Sequence, residues 1–225
     1  MTMKLEGKVV VAQGGGPTAV INESLVGVVL ESRKFPQVTK VYGAINGVRG
    51  ILNEDFLDLT QETTNNLERV AVTPSSALFS TRDKPDQAYC QEIFKVFKAH
   101  DVRYFFYIGG NDSADTVRIV NEEAKKANYE FRAIHIPKTI DNDIFGTEVC
   151  FGFQSAVDIA TDAIDRIHTT AHSHNRIMVV EVMGHHAGWL ALYAGVAGGG
   201  DVILIPEIPY SMDNIAGAIR KRVEE

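Results

Sequence analysis

The sequence predicts an α/β fold built on a doubly wound parallel sheet. Short β-branched or aromatic runs alternate along the chain with helical patterns. These runs are continuously apolar, as expected of parallel strands buried on both faces. Four glycine-rich or polar turns follow four of the runs, and in such a sheet they would share one edge.

The first strand is expected at Lys8–Ala12, and Gly14-Gly15-Gly16-Pro17 leads from it into a helix over Ala19–Ser32. Val38–Ile45 reads as the second strand and Gln87–Ala99 as an amphipathic helix. Tyr104–Ile108 is the third strand, followed by Gly109–Ser113 and a helix over Ser113–Ala127. Arg132–Ile136 is the fourth, followed by Pro137–Asp143. The clearest helix is Phe153–Thr170, where Phe153, Ala156, Val157, Ala160, Ala163, Ile164 and Ile167 recur at three- and four-residue steps. Ile177–Val182 reads as a fifth strand leading into Met183–Gly188, and Val202–Ile205 as a sixth. Met212–Val223 is a final amphipathic helix.

Composition narrows the function. The 225 residues carry 22 Lys+Arg against 29 Asp+Glu, a net charge of −7, with 45% hydrophobic residues. That balance excludes a disordered chain, a coiled coil or a collagen-like repeat. It also argues against a nucleic-acid partner, which needs a basic face. An anionic substrate must then be held by local donors. No apolar window is long enough to span a membrane, and the apolar run near the N-terminus is too short for a signal peptide. Cys90 and Cys150 have neither metal-ligand nor redox spacing, which fits a reducing, cytoplasmic setting. His168, His172 and His174 have near-helical spacing, but no HExxH or cysteine partner accompanies them as a zinc site would require.

Each turn offers chemistry. Gly14–Pro17 suits either an anion approached by bare backbone or a plain tight turn. In Gly109-Gly110-Asn111-Asp112-Ser113, either Asp112 or Ser113 could be the helix N-cap. An Asp112 beside an anion would instead require a cation between them, such as a divalent metal or Lys138. Pro137-Lys138-Thr139-Ile140-Asp141-Asn142-Asp143 is the strongest segment, because two carboxylates two apart in extended backbone face the same way. They would share a metal or a reacting hydroxyl, one serving as base, unless the segment is simply an Asx-rich surface loop. Arg82, in the polar loop Ser75–Arg82, is either solvated or a bidentate clamp for phosphate oxygens.

Together these turns resemble those of the phosphofructokinase family, along essentially the whole chain. Gly14–Asn22 looks like its first phosphate loop, Ser75–Arg82 its arginine loop and Gly109–Ser113 its metal and donor loop. Pro137–Asp143 looks like the catalytic loop and Ser173–Gly188 the sugar-phosphate segment. The resemblance implies a Rossmann-like fold, with a donor-binding domain at 1–145 and the start of a smaller, incomplete α/β sugar-phosphate domain at 146–225. It also implies Mg²⁺ and a homo-oligomer, either dimer or tetramer. Asp112 and Lys138 stand where members using ATP usually have glycine, and Val48 where they tend to have an aromatic platform. These three differences are similar to those of members that use pyrophosphate, so the implied reaction is phosphoryl transfer from pyrophosphate to the 1-hydroxyl of fructose 6-phosphate.

By resemblance Asp141 is the base, Thr139 and Arg82 contact the transferring group, and Lys138 and Gly15 bind the donor. Gly16, Gly110, Asn111, Asp112 and Ser113 complete the donor set, with Asp112 and Asp143 placing the metal. Arg176, Met183, Gly184 and His185 would touch the sugar phosphate. Asn111 replaces an aspartate common in the family, and His185 replaces an arginine. The alternatives are an ATP-dependent member, or an inactive fragment or paralogue that only binds phosphate ligands or a partner.

Overall fold

The computed structural model describes residues 5–224. The chain forms two compact units, Met1–Lys138 and Thr139–Glu225. In the first, β1 (Gly7–Gln13), α1 (Ile21–Ser32), β2 (Val38–Ala44), α2 (Val48–Leu52) and β3 (Phe56–Asp58) lead to α3 (Thr64–Ala71). Then come α4 (Gln87–Ala99), β4 (Val102–Gly109), α5 (Asn111–Lys126) and β5 (Arg132–Pro137).

The strands form one sheet in the order β3-β2-β1-β4-β5. β1 is parallel to both β2 and β4, and β4 is parallel to β5. The sheet departs from the expected all-parallel arrangement at β3, an antiparallel edge strand. Three residues leave too short a pattern to read from sequence. The Phe56 ring stacks on Tyr42 of β2 at 5.7 Å between centroids.

Helices cover both faces, so β1 is apolar at successive positions. Val10 and Ala12 pack with Ile93 and Phe97 of α4 and Val117 and Val120 of α5. Val9 and Val11 face the other way, against Ile21, Leu25 and Val29 of α1 and Leu67 of α3. The direction of winding changes between β1 and β4, and the carboxyl ends of these two strands carry Gly14 and Gly110. Such a reversal opens a crevice suited to ligands.

The second unit contains α6 (Phe153–His174), α7 (Trp189–Ala197) and α8 (Met212–Glu224). α6 and α7 enclose a small core of Phe153, Val157 and Leu190. The expected strands at Ile177–Val182 and Val202–Ile205 do not form. An apolar run becomes a strand only by pairing its N–H and C=O groups with a neighbour. No strand is assigned among the described residues of this unit, and Ile177 and Val179 are 65% and 92% exposed. Composition marked both segments, but composition supplies no pairing partner. Among the described residues, no helix is long and apolar enough to cross a membrane.

Candidate active site

Strand register builds the site of the first unit. Gln13 pairs with Ile108, and Gly109 pairs with Pro137. One residue further, the Gly14 amide donates to the Ile108 carbonyl at 2.8 Å, and the Lys138 amide to the Gly109 carbonyl at 3.0 Å. The glycine loop, the head of α5 and Lys138 therefore leave the sheet side by side.

The glycine loop needs its glycines. A Cβ at Gly14 would stand 2.5 Å from the Tyr107 hydroxyl. Gly15 has φ +77°, the left-handed region that side chains disfavour. The loop is fastened on both sides. The Lys138 ammonium donates to the Gly16 carbonyl at 2.6 Å, with the lysine only 5% exposed. From the other side, the Gly15 amide donates to the Thr81 carbonyl at 3.0 Å, and the Ser80 hydroxyl to the Gly15 carbonyl at 2.5 Å. Arg82 follows directly, and its guanidinium would lie 3.3 Å from a Cβ added at Gly16. Gly15, Gly16, Lys138 and Arg82 are thus brought together.

A buried amide pair holds the arginine loop in place. The Gln13 side-chain amide donates to the Ile21 carbonyl and to Asn22 Oδ1, both at 3.1 Å. Gln13 Oε1 accepts from the Ser76 hydroxyl at 2.7 Å and the Leu78 amide at 2.9 Å. Asn22 Oδ1 also accepts from the Ala77 amide at 2.8 Å, and its Nδ2 donates to the Thr73 carbonyl at 3.1 Å. Neither residue was identified from sequence, although a glutamine ending the apolar run of β1 was the available signal. Asn22→Ala is expected to destabilise the first unit by about 2–4 kcal/mol, since it strands several buried partners at once. The denaturant midpoint will measure this.

At α5 the outcome differs from sequence expectation. The N-cap is Gly110, in extended backbone and without a side-chain cap, so neither Asp112 nor Ser113 has that role. Asp112 lies in the first turn and is exposed, pairing with the Lys84 ammonium at 3.2 Å. Asn111 is exposed beside it. Ser113 is buried and hydrogen-bonds the Tyr107 hydroxyl. Burial pushes Tyr107 up to about 12, so the phenol stays neutral between the two loops. Val48 is fully buried in the core of this unit, leaving it no surface to offer a ligand.

His135 of β5 donates from Nε2 to the Gly109 carbonyl at 2.8 Å. Burial is the main cause that holds its imidazole below the ordinary value of 6.5. The unfolded chain then binds a proton that the folded chain refuses, so stability falls as pH drops below about 6.5. Thermal melts of His135→Gln should depend less on pH from about 6.5 downward than those of the native chain.

In the second unit, the segment after Lys138 is folded tightly. Thr139 Oγ1 accepts from the Asp141 amide at 3.1 Å, and Ile140 packs on the Phe153–Val157–Leu190 cluster. Asn142 has φ +55°; its Oδ1 accepts from the Cys150 amide at 2.8 Å and its Nδ2 donates to the Glu148 carbonyl at 3.1 Å. The segment is therefore a turn, so the extended geometry expected to point Asp141 and Asp143 the same way is not formed. Asp141 is half-buried and Asp143 exposed.

Val182, directly before Met183, packs on the same cluster as Ile140. Met183 and His185 are exposed and Gly184 is buried. The Gly184 carbonyl closes a turn of its own by accepting from the Ala187 amide at 2.8 Å. Arg176 follows the left-handed cap of α6 at Asn175 and borders an apolar cavity of about 400 Å³ with Ile167, Met178 and Leu204. Cys90 and Cys150 are both buried free thiols.

The sheet edge of the first unit thus carries bare glycine backbone, the Lys138 and Arg82 cations and the Asp112 carboxylate. A phosphofructokinase family model matches residues 8–225. The chain belongs to the phosphofructokinase family. It is 56% identical over 221 residues to a pyrophosphate--fructose 6-phosphate 1-phosphotransferase of Rhodospirillum rubrum, covering 96% of this chain and 55% of that one. It is 43% identical over 194 residues to an ATP-dependent 6-phosphofructokinase 3 of Bacteroides thetaiotaomicron, covering 83% of this chain and 55% of that one. A pyrophosphate-dependent phosphofructokinase from Nitrosospira multiformis superposes with a TM-score of 0.87 at 36% identity, over 97% of this chain and 57% of that one. The chain spans about half the length of these relatives, 55% of each curated one.

Proposed function

We propose that this chain serves transfer of a phosphoryl group from pyrophosphate to the 1-hydroxyl of fructose 6-phosphate. The observation that carries this reading is the buried Lys138 ammonium on the Gly16 carbonyl, beside a first turn of α5 that bears Asp112. A compact anion fits backbone amides and a fixed cation, whereas a side chain of that size at that turn opposes a longer nucleotide by bulk. The likeness to the Rhodospirillum rubrum protein supports the same donor.

In this mechanism the donor lies along Gly15, Gly16 and Gly110, with Asn111, Asp112 and Ser113 at its margin. Lys138 and Arg82 neutralise charge that spreads over the transferring oxygens. Thr139 hydrogen-bonds the moving group, and Asp141 accepts the proton of the attacking hydroxyl. Arg176, Met183, Gly184 and His185 hold the sugar phosphate.

Among the described residues, no group of three or more His, Cys, Asp or Glu side chains could hold a metal ion. Mg²⁺ still fits the donor set, because it is usually bound by one or two carboxylates together with substrate phosphates. Asp112, an exposed carboxylate, and Asp143 would hold it. When bound it supplies charge neutralisation to the donor oxygens. A cytoplasmic dimer or tetramer belongs to the same proposal.

Parallel coupled assays with pyrophosphate and with ATP test the reading. Fructose bisphosphate formation from pyrophosphate is expected. Turnover with ATP alone would replace it by the ATP-dependent reading, which the Bacteroides thetaiotaomicron relative represents.

A further inference from the structure

Lys84 has no place in the chemistry above, yet its ammonium lies 3.2 Å from the Asp112 carboxylate. The approach is built into the backbone on either side. Asp83 accepts from Arg49 Nε at 3.1 Å and from its terminal nitrogen at 2.6 Å. The same carboxylate accepts from the Tyr89 hydroxyl at 3.1 Å, while the Asp83 amide donates to Thr81 Oγ1 at 3.1 Å. The hydrogen bond from Arg49 is the main cause that holds Asp83 below the usual carboxylate range, so this anchor remains charged. Two residues beyond Lys84, Asp86 caps α4 by accepting from the Tyr89 amide at 2.8 Å. Pro85 restricts Lys84 to extended backbone. Lys84 is thus aimed at α5 from a stretch fixed at both ends.

The pair is too exposed, at 76% for Lys84 and 59% for Asp112, to matter much for folding. Its effect on an anion is another matter. A bare carboxylate in the first turn of α5 would repel a polyphosphate held at the glycine edge, and would cancel the attraction of the helix start.

We propose that Lys84 is a specificity-determining positioning residue: by pairing with Asp112, it lets an acidic side chain stand at the donor site without repelling inorganic pyrophosphate. The inference rests on the donor reading of the preceding section. Asp112 then opposes a nucleotide by bulk, while the pair as a whole is neutral toward the compact donor.

The test is calorimetric titration of inorganic pyrophosphate, in EDTA so that no metal contributes. It compares the native chain with Lys84→Ala, Asp112→Asn and the double variant, after thermal melts have verified equal folding. Lys84→Ala should bind about tenfold more weakly. Asp112→Asn should bind at least as tightly as the native chain, and the double variant should match Asp112→Asn. Lys84→Arg should restore native affinity. Native affinity in Lys84→Ala would overturn the inference. An equal loss in both Asp112 backgrounds would overturn it too, since Lys84 would then act on the anion directly. Failure of the native chain itself to bind pyrophosphate would overturn the donor reading, and the inference with it.

Discussion

Asp141→Ala is expected to lower phosphoryl transfer by about 10²–10⁴-fold, the usual contribution of a positioned general base, while pyrophosphate binding stays near native. The substitution removes a half-buried carboxylate whose own amide is held by Thr139 Oγ1. The turn retains its other fastenings, the Ile140 contact and the Asn142 clamp on Glu148 and Cys150. A large loss of rate would therefore report chemistry and not collapse of the loop. Initial rates of fructose bisphosphate formation, with calorimetry of pyrophosphate, separate the two. Undiminished turnover would remove Asp141 from the role of base.

Lys138→Met is the second large effect. Methionine keeps an unbranched apolar stem but removes the charge planted on the Gly16 carbonyl. Loss of one preorganised donor to a developing negative charge lowers kcat by about 10²–10³-fold. Here KM for pyrophosphate should rise as well, because the same ammonium shapes the loop on which the donor would lie. An effect confined to the sugar phosphate would contradict the assignment. Arginine at 138 should not rescue activity, since its planar fork does not fit a site made for a point charge that is 95% enclosed (5% exposed).

The sequence made the first unit largely legible. Val9–Ala12 carried no alternation, and the helices on both sides of the sheet are the reason. The Phe153 helix was readable because its apolar stripe persists for several turns. The Gly14 and Gly109 turns were legible as places where backbone comes close to a neighbour, and a Cβ at either would meet Tyr107 or Ser113. What escaped was tertiary. Gln13 and Asn22 gain meaning only when the loop at Ser76–Leu78 folds down onto them. Lys84 gains its partner only when α5 brings Asp112 within reach. The segments at Ile177–Val182 and Val202–Ile205 show the converse, with strand-like composition and no strand to pair with. The turn at Asp141–Asp143 misled because left-handed Asn142 breaks the alternation that spacing assumed.

The shared register of β1, β4 and β5 has a consequence for how such an enzyme can change. Backbone hydrogen bonds alone fix where Gly14, Gly110 and Lys138 leave the sheet. Inserting or deleting one residue within any of the three strands would flip its side chains to the opposite face and move its exit out of line with its neighbours. Exchanging Asp112 or Lys84 beside that sheet edge costs the scaffold almost nothing, because both are exposed and lend the fold little. A trait that rests on those two side chains can therefore drift by replacement on an unaltered frame.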